Sequence, residues 1–215
     1  MKSDPGDGRR VRAHWERVWT GCAPEAMSWF QAEPEISLEL IRGASKGTSI
    51  RIIDVGGGAS RLVDILLDSG YSNISVLDVS RTALSIARER LGGRARDVEW
   101  LCGDVRSFTP PHAFDVWHDR AVFHFLRDPA DRIGYRGTLG RAVPPGGHAV
   151  LATFGPEGPE RCSGLPVVRY DAASLSAELG EMWELVETRE ETHRTPSDVD
   201  QHFVYGRFRR IDAER

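Results

Sequence analysis

Residues 50–60 read Ile-Arg-Ile-Ile-Asp-Val-Gly-Gly-Gly-Ala-Ser, and this stretch decides the fold of the chain. A run of β-branched apolar residues ends at an acid, Asp54, and a glycine-rich turn follows at once. Residues 61–67 then carry apolar side chains at helical spacing, so the stretch predicts a strand, a tight turn and the start of a helix. Turns of this kind bring backbone N–H groups and a helix N-terminus close to a ligand.

The residues that follow extend this unit into an α/β domain. Strands are predicted at 50–55, 74–78, 98–102, 114–118 and 148–154, and helices at 60–69, 81–91 and 130–142. This alternation predicts a parallel sheet that is covered by helices on both faces. A helix at 171–179 precedes strands at 183–193 and 202–209. Because no helix separates these two strands, we expect them to form an antiparallel hairpin at the sheet edge.

The N-terminal part has a different character. Residues 1–12 are polar and glycine-rich, which predicts a disordered lead-in and not a signal peptide. Residues 9–20 place apolar side chains at helical spacing and predict a short amphipathic helix. Residues 27–30, Met-Ser-Trp-Phe, form an aromatic segment. A second helix is expected to open at residues 33–35, with a proline in its first turn, and to end near Gly43.

The composition excludes several classes of partner. The chain has 215 residues, 40% of them hydrophobic and 28% charged, with a net charge of −4. This size suits one domain with a short appendage, and the charge gives no basis for nucleic-acid binding. Cys22, Cys102 and Cys162 lie far apart and form no disulfide or zinc pattern, and Cys162 with His202 is too sparse for a metal site, so we expect no metal and a cytoplasmic location. No apolar run approaches the ~20 residues that span a bilayer, so no membrane partner is expected.

Three acids lie at or just after the ends of three successive predicted strands: Asp54, Asp78 and Asp104. In an open parallel sheet ligands bind beyond the carboxyl ends of the strands, so all three acids are expected to face one crevice. Asp78 follows Gly56 by 22 residues, the distance at which an acid reaches a ribose diol. Asp104 can accept from an exocyclic amine while the Val105 N–H donates to a ring nitrogen. An adenosine ligand therefore fits.

The acid beside the glycine turn narrows the choice of adenosine ligand. The spacing is Asp-x-Gly-x-Gly-x-Ser and not the Gly-x-Gly-x-x-Gly of dinucleotide sites. A pyrophosphate tolerates no nearby carboxylate, whereas Asp54 suits a cationic or ammonium group. S-adenosylmethionine carries both a sulfonium and an α-ammonium.

Five motifs in order carry a resemblance to a known family. They are IIDVGGGAS at 52–60, VLDVS at 76–80, CGDV at 102–105, FDVWHDR at 114–120 and Pro-Gly-Gly at 145–147. Together they resemble class I S-adenosylmethionine-dependent methyltransferases over residues 33 to about 210, although Ser60 stands where a third glycine is usual. The resemblance implies a doubly wound, mostly parallel seven-stranded sheet of order 3-2-1-4-5-7-6 with an antiparallel last-strand hairpin. It also implies a division into residues 1–32, a tail with a helix and an aromatic lid segment, and residues 33–215, the methyltransferase domain.

The resemblance also implies roles for individual residues. Asp54 would orient the turn and the ammonium, Asp78 would bind both ribose hydroxyls, and Trp29 would form part of a lid. The full set of implied cofactor-binding residues is Trp29, Asp54, Gly56, Gly57, Gly58, Asp78, Val79, Asp104, Val105 and His118. For methyl transfer we expect His118, and with less support His124, to take a proton from the acceptor, and Arg120 to hold an anionic substrate group. Arg161, Cys162 and Tyr170, in the segment 154–170 after the fifth strand, are secondary candidates for the acceptor pocket.

A narrower resemblance rests on His14-Trp15, on residues 27–30 and on residues 117–126. These stretches resemble small bacterial methyltransferases of unassigned substrate and, more distantly, eukaryotic lysine methyltransferases. Each feature also has a purely structural interpretation: the aromatic residues as core packing, and Asp119 with Arg120 or Arg127 as a structural pair.

Four functions therefore stay open. The first is a methyltransferase for a small molecule, acting as a monomer or homodimer, and the second is a protein lysine methyltransferase. A nicotinamide-dependent oxidoreductase and a cofactor-binding protein without catalysis are less favoured.

Overall fold

The computed structural model describes residues 5–44 and 47–212 as helices on both sides of one large sheet. In chain order the elements are α1 (Pro5–Gly21), α2 (Glu35–Ala44), β1 (Arg51–Val55), α3 (Leu62–Asp68), β2 (Asn73–Asp78), α4 (Arg81–Leu91), β3 (Val98–Cys102), β4 (Val116–Arg120), α5 (Pro129–Ala142), β5 (His148–Phe154), β6 (Arg161–Cys162), β7 (Leu165–Pro166), α6 (Ala172–Leu179), β8 (Trp183–Arg194) and β9 (Asp200–Arg210). Single 3₁₀ turns lie at Pro24–Ala26, Gly92–Asp97 and Phe123–Phe125. Among these described helices, none combines the length and the apolar character that a bilayer crossing requires.

The large sheet has seven strands in the order β3-β2-β1-β4-β5-β9-β8. Strands β1 to β5 are parallel, β9 pairs antiparallel with β5, and β8 pairs antiparallel with β9. The expected order 3-2-1-4-5-7-6 is confirmed, since β8 and β9 are the sixth and seventh strands of this sheet. The reversal of strand order between β1 and β4 opens a crevice at their carboxyl ends.

Each face of the sheet has its own apolar layer. Ile52 packs on one face with Leu40 of α2 and Leu66 of α3, whereas Ile53 packs on the other with Leu139 of α5. Successive side chains of a strand point to opposite faces, and a parallel sheet buries both. The continuous apolar run that predicted β1 therefore contributes side chains to the apolar layers on both faces of the sheet.

Three expectations about the elements are wrong. Residues 5–12 are helical and belong to α1, because a proline is tolerated in the first turn of a helix and Arg9, Arg10 and Arg12 are exposed. Residues 1–4 lie outside the described part. Strand β4 runs on to Arg120 through pairing with β5, so His118 lies within the strand and not at its end. The short hairpin of β6 and β7 interrupts the segment that we expected to be a loop.

Gly57 gives a test of how tightly the glycine turn packs. A Cβ at this position would lie 2.4 Å from Asp54 Oδ2 and 2.9 Å from Val76 Cγ1. We expect Gly57→Ala to lower the free energy of unfolding by about 1–3 kcal/mol, because both neighbours are buried and must shift. Gly140→Ala is the control, since a Cβ there meets nothing within 4 Å in the interior of α5. It should raise stability by about 0.5–1 kcal/mol. Denaturant titration measures both, and equal stability of the two variants would contradict the packing described here.

Candidate functional site

A cavity of about 280 Å³ lies at the carboxyl ends of the central strands. Asp78 at the end of β2, Asp104 after β3 and Arg120 at the end of β4 contribute to its wall, and Trp15 and Trp19 of α1 cover it. A smaller cavity of about 50 Å³ adjoins it and is lined by residues of the glycine turn and by Asp54 and His118. Four residues line both cavities, so the two are neighbours: Trp19, Trp29, Gly56 and Arg120.

Two glycines of the turn are required by geometry. Gly56 has φ +65°, and a Cβ there would lie 2.0 Å from Val122 Cγ2. Gly58 has φ +46°, and its Cβ would lie 2.9 Å from Trp19 Cζ2 and 3.1 Å from Asp78 Oδ2. Both conformations favour glycine. Gly56 lines both cavities, whereas Gly58 is buried and lines neither.

Asp78 is a buried acid in the cavity wall. Its Oδ1 accepts a hydrogen bond from the Ser80 backbone N–H at 2.7 Å, and the residue is only 7% exposed. Burial raises the pKa of this carboxyl to about 7, and the charges of Asp54 and Glu16 act in the same direction. A ligand that donates hydroxyl hydrogens to this carboxylate would favour its ionised form.

Asp104 is held by a partner that the sequence did not indicate. Arg106 Nη2 donates to Asp104 Oδ2 at 2.7 Å, and Arg106 Nη1 donates to Asp131 Oδ1 at 2.9 Å. Burial alone would raise the pKa of Asp104, but the hydrogen bonds and charge of Arg106 bring it below its usual value. The carboxylate is therefore ionised, and its remaining lone pairs can accept from a ligand. An arginine two residues after the acid was a weak signal, and nothing in the sequence pointed to Asp131.

His118 joins three elements through its ring. Nδ1 shares a hydrogen bond with Asp54 Oδ1 at 2.7 Å, and Nε2 shares one with Ser37 Oγ of α2 at 2.9 Å. All three residues are at most 3% exposed. Because both ring nitrogens are engaged, this histidine sets the orientation of Asp54 behind the glycine turn, at the wall of the smaller cavity.

His124 lies in neither cavity wall. Its Nδ1 accepts a hydrogen bond from the Phe154 N–H at 3.3 Å, and the ring packs against Phe125 and Phe154. Burial lowers the pKa of this histidine to about 3, and the charge of Arg120 acts in the same direction. His124 is therefore a neutral side chain of the core and does not line the cavity.

Asp119 supports the loop that follows β4. Its Oδ1 accepts from the Val122 N–H at 2.9 Å, and Tyr135 Oη donates to its Oδ2 at 2.6 Å. These bonds hold Ala121, a cavity residue, at φ +69°, which a residue other than glycine adopts only when its surroundings enforce it. Asp119 thus pairs with the loop and with Tyr135, and not with Arg120 or Arg127.

The segment after β5 contributes one of its three candidates to the cavity. Cys162 lines it, together with Leu165 and Pro166 of the short hairpin, and burial raises the pKa of this thiol to about 11. Arg161 is exposed, and Tyr170 packs against Phe123 in the core. Within residues 5–44 and 47–212, no cluster of three or more His, Cys, Asp and Glu side chains could hold a metal ion.

Aromatic side chains cover the cavity. The rings of Trp15 and Trp29 meet edge to face with centroids 6.1 Å apart, and those of Trp19 and Trp29 with centroids 5.9 Å apart. Trp15 also meets Phe125 at 5.1 Å. These side chains pack against one another and also line the cavity. The cluster therefore fits both the core-packing and the lid interpretation of the aromatic residues.

Glu16 attaches α1 to the rest of the domain. Its carboxylate accepts from the Arg81 N–H at 2.8 Å, the Thr82 N–H at 3.2 Å and the Ser80 hydroxyl at 3.0 Å. These donors form the N-terminus of α4, where a negative charge is favourable. Burial would raise the pKa of Glu16, but these hydrogen bonds together lower it, so the carboxylate that holds α1 is ionised.

We expect Glu16→Ala to loosen α1 from α4. Losing a capping carboxylate costs about 0.5–2 kcal/mol. At the upper end of that range, a loss of about 1–2 kcal/mol makes the amides of residues 8–20 exchange with deuterium about 5–30-fold faster. Hydrogen exchange with mass spectrometry measures this, with Glu25→Ala as the control because Glu25 is exposed on the following turn. Equal exchange in the two variants would show that Glu16 does not hold the helix.

Comparison with known proteins finds methyltransferases of similar fold. Residues 52–147 match a family model described as a methyltransferase domain, and no curated protein matches the chain. An S-adenosylmethionine-dependent methyltransferase from Anabaena variabilis ATCC 29413 is similar in structure, with TM-score 0.73, 14% identity and coverage of 98% of this chain and 97% of the other. A structure described for the conversion of a disulfide bond into a thioacetal group during echinomycin biosynthesis has TM-score 0.75 and 21% identity, with coverage of 94% and 92%.

A third similar structure was determined with a ligand. It is the N-methyltransferase NodS from Bradyrhizobium japonicum WM9 in complex with S-adenosyl-L-homocysteine, with TM-score 0.65, 19% identity and coverage of 96% and 98%. The seven-stranded sheet with its antiparallel hairpin has the class I, Rossmann-like fold of these methyltransferases, and residues 52–147 match a methyltransferase domain model.

Proposed function

We propose that this protein is an enzyme that transfers a methyl group from S-adenosylmethionine to a sulfur, nitrogen or oxygen atom of a small molecule. The observation that carries the proposal is the meeting of the glycine turn with the buried Asp78 in a cavity covered by α1. The backbone at Gly56, which lines both cavities, and the buried acid Asp78 suit a ligand with a ribose diol and a cationic tail.

The residues present fit the methyl donor. Asp78 would accept from the ribose hydroxyls, Asp104 and Val105 would meet the adenine edge, and Val79 would pack on its face. The glycine turn would hold the methionine portion, with Asp54 directed at the ammonium and Trp29 above it. When bound, S-adenosylmethionine supplies a methyl group on a sulfonium, which makes the departing thioether a good leaving group.

The residues of the chain then align the acceptor with the methyl group and exclude water from the cavity. Trp15, Trp19 and Trp29 close the cavity, and holding the acceptor atom about 3 Å from the methyl in line with the leaving group supplies most of the rate gain. We assign His118 as a positioning residue for Asp54, and we assign His124 to the core. Arg120, in the cavity wall, is the residue that we propose to touch the ligand.

The covered cavity favours a small acceptor over a protein. A lysine methyltransferase must admit an extended peptide through an open groove, whereas α1, Phe125 and the β6–β7 hairpin contribute side chains to the wall of this cavity. The test is a screen of thiols, amines, carboxylates and phenols with labelled S-adenosylmethionine, read as release of S-adenosylhomocysteine. Calorimetry with S-adenosylhomocysteine provides a second readout, and a protein that binds none of it and turns over no acceptor does not have this function.

Asp78 makes donor binding depend on pH. Its pKa of about 7 in the free protein means that the carboxyl is protonated below neutrality. Because ribose hydroxyls donate to the ionised form, we expect affinity for S-adenosylhomocysteine to be constant above pH 8 and to fall towards tenfold per pH unit below pH 6.

The matched variant for this titration is Asp78→Asn. We expect it to bind about 10–100-fold more weakly at pH 8, because it loses hydrogen bonds to a charged group, and to lose the fall that the wild type shows below neutrality. Asp97→Asn, at an exposed acid, should behave as wild type. Wild-type affinity in Asp78→Asn, or the same pH slope in both proteins, would remove Asp78 from the donor site.

A further inference from the structure

Resting on the function proposed above, we propose that Arg120 is the residue of the cavity that binds a carboxylate of the ligand. Arg120 is the last residue of β4 and pairs with Ala152 of β5, on the opposite side of the glycine turn from Asp78 and Asp104. Its side chain is 10% exposed and lines both cavities. A buried cation therefore stands in the wall of the ligand site.

Three contacts fix the plane of this guanidinium. Nε donates to Tyr205 Oη at 2.9 Å, and Nη1 donates to the backbone carbonyl of Trp29 at 2.8 Å. Cζ lies 4.3 Å from the centroid of the Phe203 ring, which adds a cation–π contact on one face. The remaining nitrogen, Nη2, is thereby held in one orientation before any ligand arrives.

Nη2 is buried and has no hydrogen-bond acceptor. The nearest anion, Glu191, lies 3.7 Å away through its Oε2, beyond hydrogen-bond distance. Both oxygens of Glu191 already accept hydrogen bonds, Oε2 from Tyr205 Oη and Oε1 from Gln31 Nε2, each at 2.6 Å. Glu191 thus offsets part of the charge, but the N–H groups of Nη2 stay unsatisfied, which is costly for a buried cationic donor.

The surroundings of Arg120 select the class of ligand group. Cys162, Leu165 and Pro166 give this side of the cavity an apolar wall, and the raised pKa of Cys162 keeps its thiol uncharged. Because Arg120 lines both cavities, its guanidinium presents a positive charge to a ligand that lies there. A phosphate dianion would be disfavoured by Asp78 and Asp104 in the same cavity, whereas a single carboxylate beside an apolar body suits both features.

Two molecules can supply that carboxylate: the methionine part of the methyl donor, which the smaller cavity suits, or the methyl acceptor. The variants are Arg120→Gln and Arg120→Lys, with Arg127→Gln as the matched control because Arg127 is exposed. Arg120→Gln also leaves Glu191 without its cation, so Arg120→Gln combined with Glu191→Gln provides a second, neutral variant. Thermal unfolding checks that each protein is folded.

The first arm measures affinity for S-adenosylhomocysteine and for its decarboxylated analogue by calorimetry. If the donor supplies the carboxylate, Arg120→Gln weakens S-adenosylhomocysteine binding about 10–100-fold and leaves the analogue unchanged, while Arg120→Lys lies between. Arg127→Gln leaves both affinities unchanged. This outcome supports the proposal with the donor as the source.

The second arm titrates phenylacetate, indole-3-acetate and octanoate, each against its amide, into protein saturated with S-adenosylhomocysteine. If the acceptor supplies the carboxylate, the wild type prefers an acid over its amide by about tenfold or more and Arg120→Gln loses the preference. Unchanged S-adenosylhomocysteine affinity in the Arg120 variants, together with no acid preference in the wild type, overturns the proposal. A wild type that does not bind S-adenosylhomocysteine at all refutes the proposed function instead, and the same acids then decide the role of Arg120 in the protein alone.

Discussion

The hydrogen bond between the buried side chains of Asp54 and His118, 2.7 Å long, is the interaction on which the site depends. The two residues face each other on neighbouring strands, and Ser37 completes the chain from α2. Removing one partner of such a buried pair leaves the other uncompensated, at a cost of about 3–5 kcal/mol. The bond places the Asp54 carboxylate directly behind the glycine turn, where it leaves no space for a Cβ at position 57. The turn and its ligand-facing backbone follow from that placement.

The order of the strands places acids on one side of the crevice and a cation on the other. Asp78 and Asp104 follow the strands on one side of β1, and Arg120 ends the strand on the other side. The acids suit the hydroxyls and the amine of an adenosine, whereas the guanidinium suits an anion. The two sides of the crevice therefore suit the two unlike ends of a polar ligand.

The cover of the site uses the same residues as its core. Trp15 and Trp19 stabilise α1 by packing with Trp29, and in doing so they exclude water from the cavity. Glu16 attaches α1 to the N-terminus of α4, which itself begins three residues after Asp78. Asp78 and Glu16 meet at one residue of this short segment, because Asp78 accepts from the Ser80 N–H while Glu16 accepts from the Ser80 hydroxyl.

Local pattern was sufficient for most of the sheet and for the outline of the site. The apolar run before Asp54, the glycine turn and the cap at Ser80 are short-range features, and the limits of β3 and β5 were predicted to the residue. The reversal of strand order followed from the resemblance to a known family, whereas the antiparallel hairpin followed from the absence of a helix between the last two strands. The placement of Asp78 and Asp104 in one crevice followed from the rule that parallel strands share their carboxyl edge.

What the sequence by itself determined is thus the succession of strands and helices along the chain, the glycine turn and its acids, since each depends on neighbouring residues. Only the tertiary structure decided the direction and the partners of the side chains. His118 meets Ser37 from 81 positions away, and Asp104 shares Arg106 with Asp131 of a later helix. His124, six residues after His118, faces the core and not the cavity. Such contacts join segments far apart in the chain, so they depend on packing that no local pattern encodes.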